Sequence, residues 1–179
     1  MKLSRPELEA DSWAFALEIY ARPGVADVCL KLQNEAGVDV MMFLVAAFAA
    51  VRHRIMLTTP EIRALEAACR PWREQIVQPL RAIRSGLKTG PLPAPTSETE
   101  QFRSKVKTVE LAAERLQNRL LTECLPLRPP ERDTVDPEAL RSILRDVVTL
   151  FLEKHGNKPV ADHLSSINEI VEAAMLDAR

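Results

Sequence analysis

Twelve consecutive apolar residues, Val40 to Val51 (VMMFLVAAFAAV), constrain this chain more than any other feature. The run falls well short of the roughly 20 residues that a membrane-spanning helix needs. Together with its flanks it reads as one helix over about 38–56, apolar on nearly every side. A helix with no polar face cannot sit at a surface, so neighbouring helices must cover it. The rest of the chain has to supply that cover.

It supplies helices. No stretch alternates with a period of two long enough to make a strand. Leu, Ala, Glu and Arg are abundant, aromatics make up only 4% and glycines number five, a bias toward side chains that lose little freedom in a helix. The fold class expected is therefore all-α, a compact multi-helix bundle around the 38–56 helix with a C-terminal helical extension. The punctuation divides it further. Asp11 or Ser12 can cap a first helix carrying Trp13, Phe15, Leu17 and Tyr20. Pro23 suits the first turn of a second helix running to about Glu35, and Gly37 suits the left-handed residue that ends one. Thr59-Pro60-Glu61 combines a cap, a first-turn proline and an acid, which together start a helix. That helix should pause before Pro71 and resume through Lys88, with Trp72, Ile76, Leu80, Ile83 and Leu87 on one face and a bend at Pro79.

Residues 90–97 (GPLPAPTS) read as a linker. Ser97 to Glu100 forms a capping-box pattern opening a long helix to about Glu123, with Phe102, Val106, Val109, Ala113, Leu116 and Leu120 on one side. After a second proline-rich connection come two more helices, from Asp136-Pro137 to near Gly156 and from about Pro159 to Leu176. The organisation expected is a core domain over 1–125 and an extension over 126–179 packed on it.

Charge narrows function. The net charge is −1, but residues 50–96 alone carry eight basic and three acidic residues. Only this middle third is suited to electrostatic recognition. The helix–turn–helix rhythm around Gly24 and Gly37 would place an apolar helix in a DNA groove, with no Arg, Lys, Asn or Gln from 38 to 51 to read bases, so no nucleic-acid partner is expected. Cys29, Cys69 and Cys124 are scattered and odd in number, which fits reduced thiols in a cytoplasmic protein. The first residues, MKLSRPELEADSW, lack the apolar stretch of a secretory leader. His53, His155 and His163 are isolated, and neither H-E-x-x-H, a cysteine cluster nor a glycine-rich phosphate loop occurs, so no metal or cofactor is expected. No G-x-S-x-G elbow is present, and no catalytic residue is assigned.

Two constellations remain. Arg73, Arg81, Arg84 and Lys88 form a basic ridge on the helix that carries the Trp72 stripe. Arg81, Arg84 and Lys88 are three and four residues apart, so their heads project together and would suit an acidic protein or a small anion. The same residues could instead be answered internally, with Asp39 or Glu35 pinning two helices together. The second constellation is a pocket between the apolar helix and the Trp72 helix, with Gln33, Asp39 and Arg81 as its polar groups, serving an enzyme or ligand carrier. Asp39 also suits the plain role of an N-terminal cap.

Residues 12–125 resemble a bacterial family of short conserved proteins classed only as a domain of unknown function. The resemblance rests on Trp13, Tyr20-Ala21, Pro23-Gly24-Val25, Cys29-Leu30, Leu32-Gln33, Gly37 and Asp39-Val40. It continues through Trp72, Val77, Pro79-Leu80-Arg81, Arg84, Leu87-Lys88 and Glu110-Leu111-Ala112-Ala113-Glu114. Met41 stands where an Asn commonly follows the Asp-Val, and the Trp that commonly ends the apolar helix is missing near Phe48. The resemblance implies a small helical cytoplasmic protein and carries no known activity.

Overall fold

A computed structural model of the chain describes residues 4–130, 133–154 and 156–176; His155 lies outside the described residues. The order is α1 (Arg5–Tyr20), α2 (Val25–Ala36), α3 (Val40–His53), α4 (Thr59–Trp72), a π-helical turn (Arg73–Val77), α5 (Gln78–Gly86), α6 (Ser97–Cys124), α7 (Pro137–Glu153) and α8 (Ala161–Met175). No strand occurs among the described residues. The protein is an all-α bundle.

The apolar run forms α3 and lies at the centre. Every residue from Met42 to Val51 is buried, and Phe48 meets the Phe15 ring of α1 at 5.7 Å between centroids. Helices α1, α6 and α7 pack around it. α7 and α8 add Leu140, Leu144, Val147, Ile167 and Ile170 to the same core. The proline-rich connection before α7 is pinned to the bundle as well: Arg128 donates to Glu61 Oε1 at 2.5 Å and to the Met56 carbonyl at 2.8 Å. Val40 and Met41, the first turn of α3, are only half-buried. That end of the apolar helix is where the cover is incomplete.

Several boundaries differ from the sequence reading: Pro23 lies before α2 rather than in its first turn, Thr58 rather than Thr59 caps α4, and α3 is shorter than 38–56. α1 begins six residues before Asp11, because Ser4 and Glu7 close a capping box around the Arg5–Pro6 start. The long helix is capped by Thr96 with Thr99, one residue earlier than expected. The helix through Pro71 does not pause. Pro79 explains the π turn that follows: it has no N–H for the Gln75 carbonyl, and its ring would crowd that carbonyl in a regular helix. The chain widens instead, and Gln78 N–H bonds Arg73 O, five residues back.

The larger difference is rotational. α6 turns Val106, Glu110, Ala113, Gln117, Asn118, Leu121 and Thr122 inward, leaving Phe102, Val109 and Leu116 at 52–54% exposure. α5 buries no residue fully, and Ile83 of its apolar stripe is half exposed. Both helices therefore present polar side chains to each other and to the bundle. The buried polar contacts of α6 continue to α1, where Ser12 Oγ donates to Asn118 Oδ1 at 2.8 Å and Asn118 Nδ2 donates to the Glu9 carbonyl at 3.1 Å.

Candidate functional site

Where α3 lacks cover, a cleft of about 510 Å³ opens between α1, α2 and the start of α3 on one side and the π turn, α5 and α6 on the other. Its apolar wall includes Trp13, Leu17, Tyr20, Leu30, Met41 and Leu44. Gln33, Asp39, Arg73, Gln78, Arg81, Arg84, Lys107, Glu110, Glu114 and Gln117 supply the polar wall. The volume lies within the range of about 300–1,000 Å³ common to small-molecule clefts.

Local structure places each group. Gly37 takes a left-handed φ of 65° and its N–H returns to Gln33 O, ending α2 and turning the chain sharply into α3. Asp39 is the residue before α3 and its carboxylate accepts from Met42 N–H at 3.1 Å. The expected cap is there, but Asp39 does more. It also accepts from Gln117 Nε2 at 2.5 Å and from Arg73 Nη1 at 3.3 Å, joining α3 to α6 and to the π turn. Arg73 is buried, with its other terminal nitrogen 2.9 Å from Glu66. It stands under the ridge rather than on it. Burial works against the Arg73 cation, yet Glu66 and Asp39 more than compensate and its pKa is raised.

Arg81 and Arg84 are turned toward α6. Arg81 donates through Nε to Glu110 at 3.0 Å, through Nη2 to Glu114 at 2.6 Å and through Nη1 to Gln33 Oε1 at 2.6 Å. One guanidinium thus ties α5 to both α6 and α2. Arg84 grips both oxygens of Glu110, through Nε to Oε2 and through Nη2 to Oε1 at 3.2 Å. Lys88, in the turn after α5, is exposed and makes no ion pair among the described residues. Of the four ridge residues, the cleft brings together Arg73, Arg81 and Arg84 with Gln33 and Asp39, and leaves Lys88 outside.

The two carboxylates of α6 are held differently. Burial pushes Glu110 up, but hydrogen bonds from Arg84 and Arg81 outweigh it and the carboxyl ends below its ordinary range. At Glu114 burial wins over Arg81, and the pKa is raised. Cys69, beneath Asp39, is fully buried and its thiol is pushed up to about 12 by burial and the Asp39 charge, which leaves no thiolate for chemistry. Among the described residues no group of three or more His, Cys, Asp or Glu could hold a metal ion.

Glu110, Glu114, Gln117 and Lys107 were not singled out by sequence reasoning as site residues. A signal for them existed: Glu110, Glu114 and Gln117 recur at helical spacing, as do Arg81, Arg84 and Lys88 across a short linker, so the two helices could be paired by charge.

These elements define a class: a helical bundle whose central apolar helix ends in a polar-walled cleft. The chain belongs to the family described as Protein of unknown function (DUF2390), whose match spans residues 11–121. Every residue lining the cleft falls within that span. A second groove, bordered by Arg145, Glu153 and Lys158, lies beyond it. Neither a curated protein nor a solved structure matches the chain. Among the described residues no helix is long and apolar enough to cross a membrane.

Proposed function

We propose that this protein binds a small organic molecule in the cleft between α1–α3 and α5–α6, acting as a binding protein rather than through a basic docking ridge. The observation that carries this reading is the Arg81 bridge, which spans from Gln33 on α2 to Glu110 and Glu114 on α6 beside an open volume of about 510 Å³. Apolar walls with a few fixed polar groups are what small-molecule sites require. The restriction of the cleft to the family-matched residues supports the same conclusion.

An acidic protein docking on the ridge has less support. Arg81 and Arg84 already share two carboxylates, and Arg73 is buried, so Lys88 alone keeps an unanswered exposed charge there. A ligand-observed NMR fragment screen tests the proposal, run on the full chain and on a cleft-filling variant, Leu17→Trp. Leu17 is half exposed at the cleft wall, so the larger ring fills space without entering the core. Hits should appear with the natural chain and vanish with the variant, at unchanged helical circular dichroism. Hits that persist in the filled variant would refute a ligand site here.

A further inference from the structure

We infer that the ligand of this cleft is a singly charged carboxylate with an apolar body, an inference that rests on the cleft being the binding site. The charge inventory gives the first reason. Arg73 is answered by Asp39 and Glu66, and Arg81 and Arg84 by Glu110 and Glu114, so among the described residues Lys107 is the one cation lining the cleft without an ion pair. One positive charge is left over, in a chain whose overall charge is −1. A monoanion neutralises that surplus. A doubly charged phosphate would have to approach three fixed carboxylates with nothing left to answer its second charge.

Donor geometry gives the second reason. Of the five N–H donors of a guanidinium, Arg81 spends three, one on each nitrogen, leaving one N–H on each terminal nitrogen. Either of these can donate to a carboxylate oxygen. Lys107 lines the cleft from α6, is exposed and has no ion pair among the described residues, so its ammonium is available to the same anion. Leu17, Leu30 and Met41 give the body of the ligand an apolar surface. Neutral ligands would leave the Lys107 charge unanswered, and cationic ones would meet like charge.

The test uses the isotopically labelled full chain and three probes that share one alkyl chain: octanoate, octanol and octylammonium. The chain has two tryptophans, and only Trp13 lines the cleft, whereas Trp72 is tied to the Ala113 carbonyl at 3.0 Å. The indole N–H signal of Trp13 should move saturably with octanoate and that of Trp72 should not. Octanoate should bind about tenfold more tightly than either other probe, since a charge-assisted pair is about twice as strong as a neutral one. Lys107→Gln should weaken octanoate roughly threefold and leave octanol unchanged, as expected for an exposed charge. Lys107 is chosen because replacing Arg81 would also cut the bridge between helices. Octanol or octylammonium binding as tightly as octanoate overturns the carboxylate inference and leaves the cleft reading standing. No response to any probe also overturns it, and the filled-cleft fragment screen then decides separately whether the cleft binds anything.

Discussion

Removing Glu110 should release α5 from the bundle while the rest of the protein stays folded. α5 buries no residue fully, so its docking on α6 depends heavily on polar contacts. Three of these end on the Glu110 carboxylate, one from Arg81 and two from Arg84. The carboxylate is almost inaccessible, at 6% exposure, whereas the two arginine side chains keep 27% and 22%. In Glu110→Ala the arginines can therefore hydrate in part, and the full cost of about 3–5 kcal/mol for breaking a buried pair does not apply. Hydrogen bonds to charged groups are worth about 1.5–3 kcal/mol, and Arg81 keeps Glu114 and Gln33, so a loss near 2 kcal/mol is expected and should fall chiefly on α5.

Native-state hydrogen exchange read by mass spectrometry separates this from global unfolding. Peptides covering 78–86 should exchange about 30-fold faster, the factor equivalent to 2 kcal/mol, while those covering 42–51 change little. Protection of α5 that is unaltered by the substitution would refute the view that ion pairs hold this helix. Acid should produce the same release. Because Glu110 sits below its ordinary range in the folded protein, its contribution is present above the unfolded carboxylate pKa and disappears as pH falls through the folded one.

Glu114→Gln should leave the protein as stable as the natural chain or slightly more so at neutral pH, measured by urea denaturation. Its folded pKa is raised, so its stabilising contribution belongs to the protonated form and is lost as pH rises through that value; a loss comparable to Glu110→Ala would contradict this. Phe48→Ala should cost about 3–5 kcal/mol, because Phe48 is wholly buried and packs at tilted and edge-on angles against Phe15 and His53, and a change under about 1 kcal/mol in the same assay would deny α3 its central place. A thiol reagent should titrate Cys124 alone in the native protein, since Cys29 and Cys69 are buried with pKa pushed up to about 12; rapid reaction of a second thiol would show that the core opens.

The central helix was legible because nothing competes with an apolar run of that length: any placement but burial exposes Phe43, Leu44 and Phe48 to water. Asp39 as a cap and Asp136 at the start of α7 were legible for a local reason, since a carboxylate finds the N–H groups of its own helix. The start of α1 was missed although its signal was equally local, Ser4 and Glu7 flanking Pro6. The orientation of α5 and α6 was not legible from either helix alone. Each has an apolar stripe that periodicity assigns to the interior. Val106, Ala113 and Leu120 of the α6 stripe do face the interior, but Val109, Leu116 and Ile83 are outvoted by pairs 26–33 residues apart in sequence, Arg84 with Glu110 and Arg81 with Glu114, which no single window contains.

That partial rotation also accounts for the cleft. Had α5 and α6 turned Ile83, Val109 and Leu116 inward, apolar side chains would have closed over Val40 and Met41 as they close over the rest of α3. Water is expelled from such a seam because contact between hydrocarbon surfaces is favourable at every point. Ion pairs behave differently. Arg81 on α5 bonds Gln33 of α2 and Glu114 of α6 at 2.6 Å each, so its side chain stands between these helices where hydrocarbon contact would otherwise close them. The partially uncovered first turn of α3 is thus the direct consequence of placing arginines and glutamates where an ordinary bundle places leucines. The residues that keep the helices apart are the same ones that a ligand entering the gap must meet.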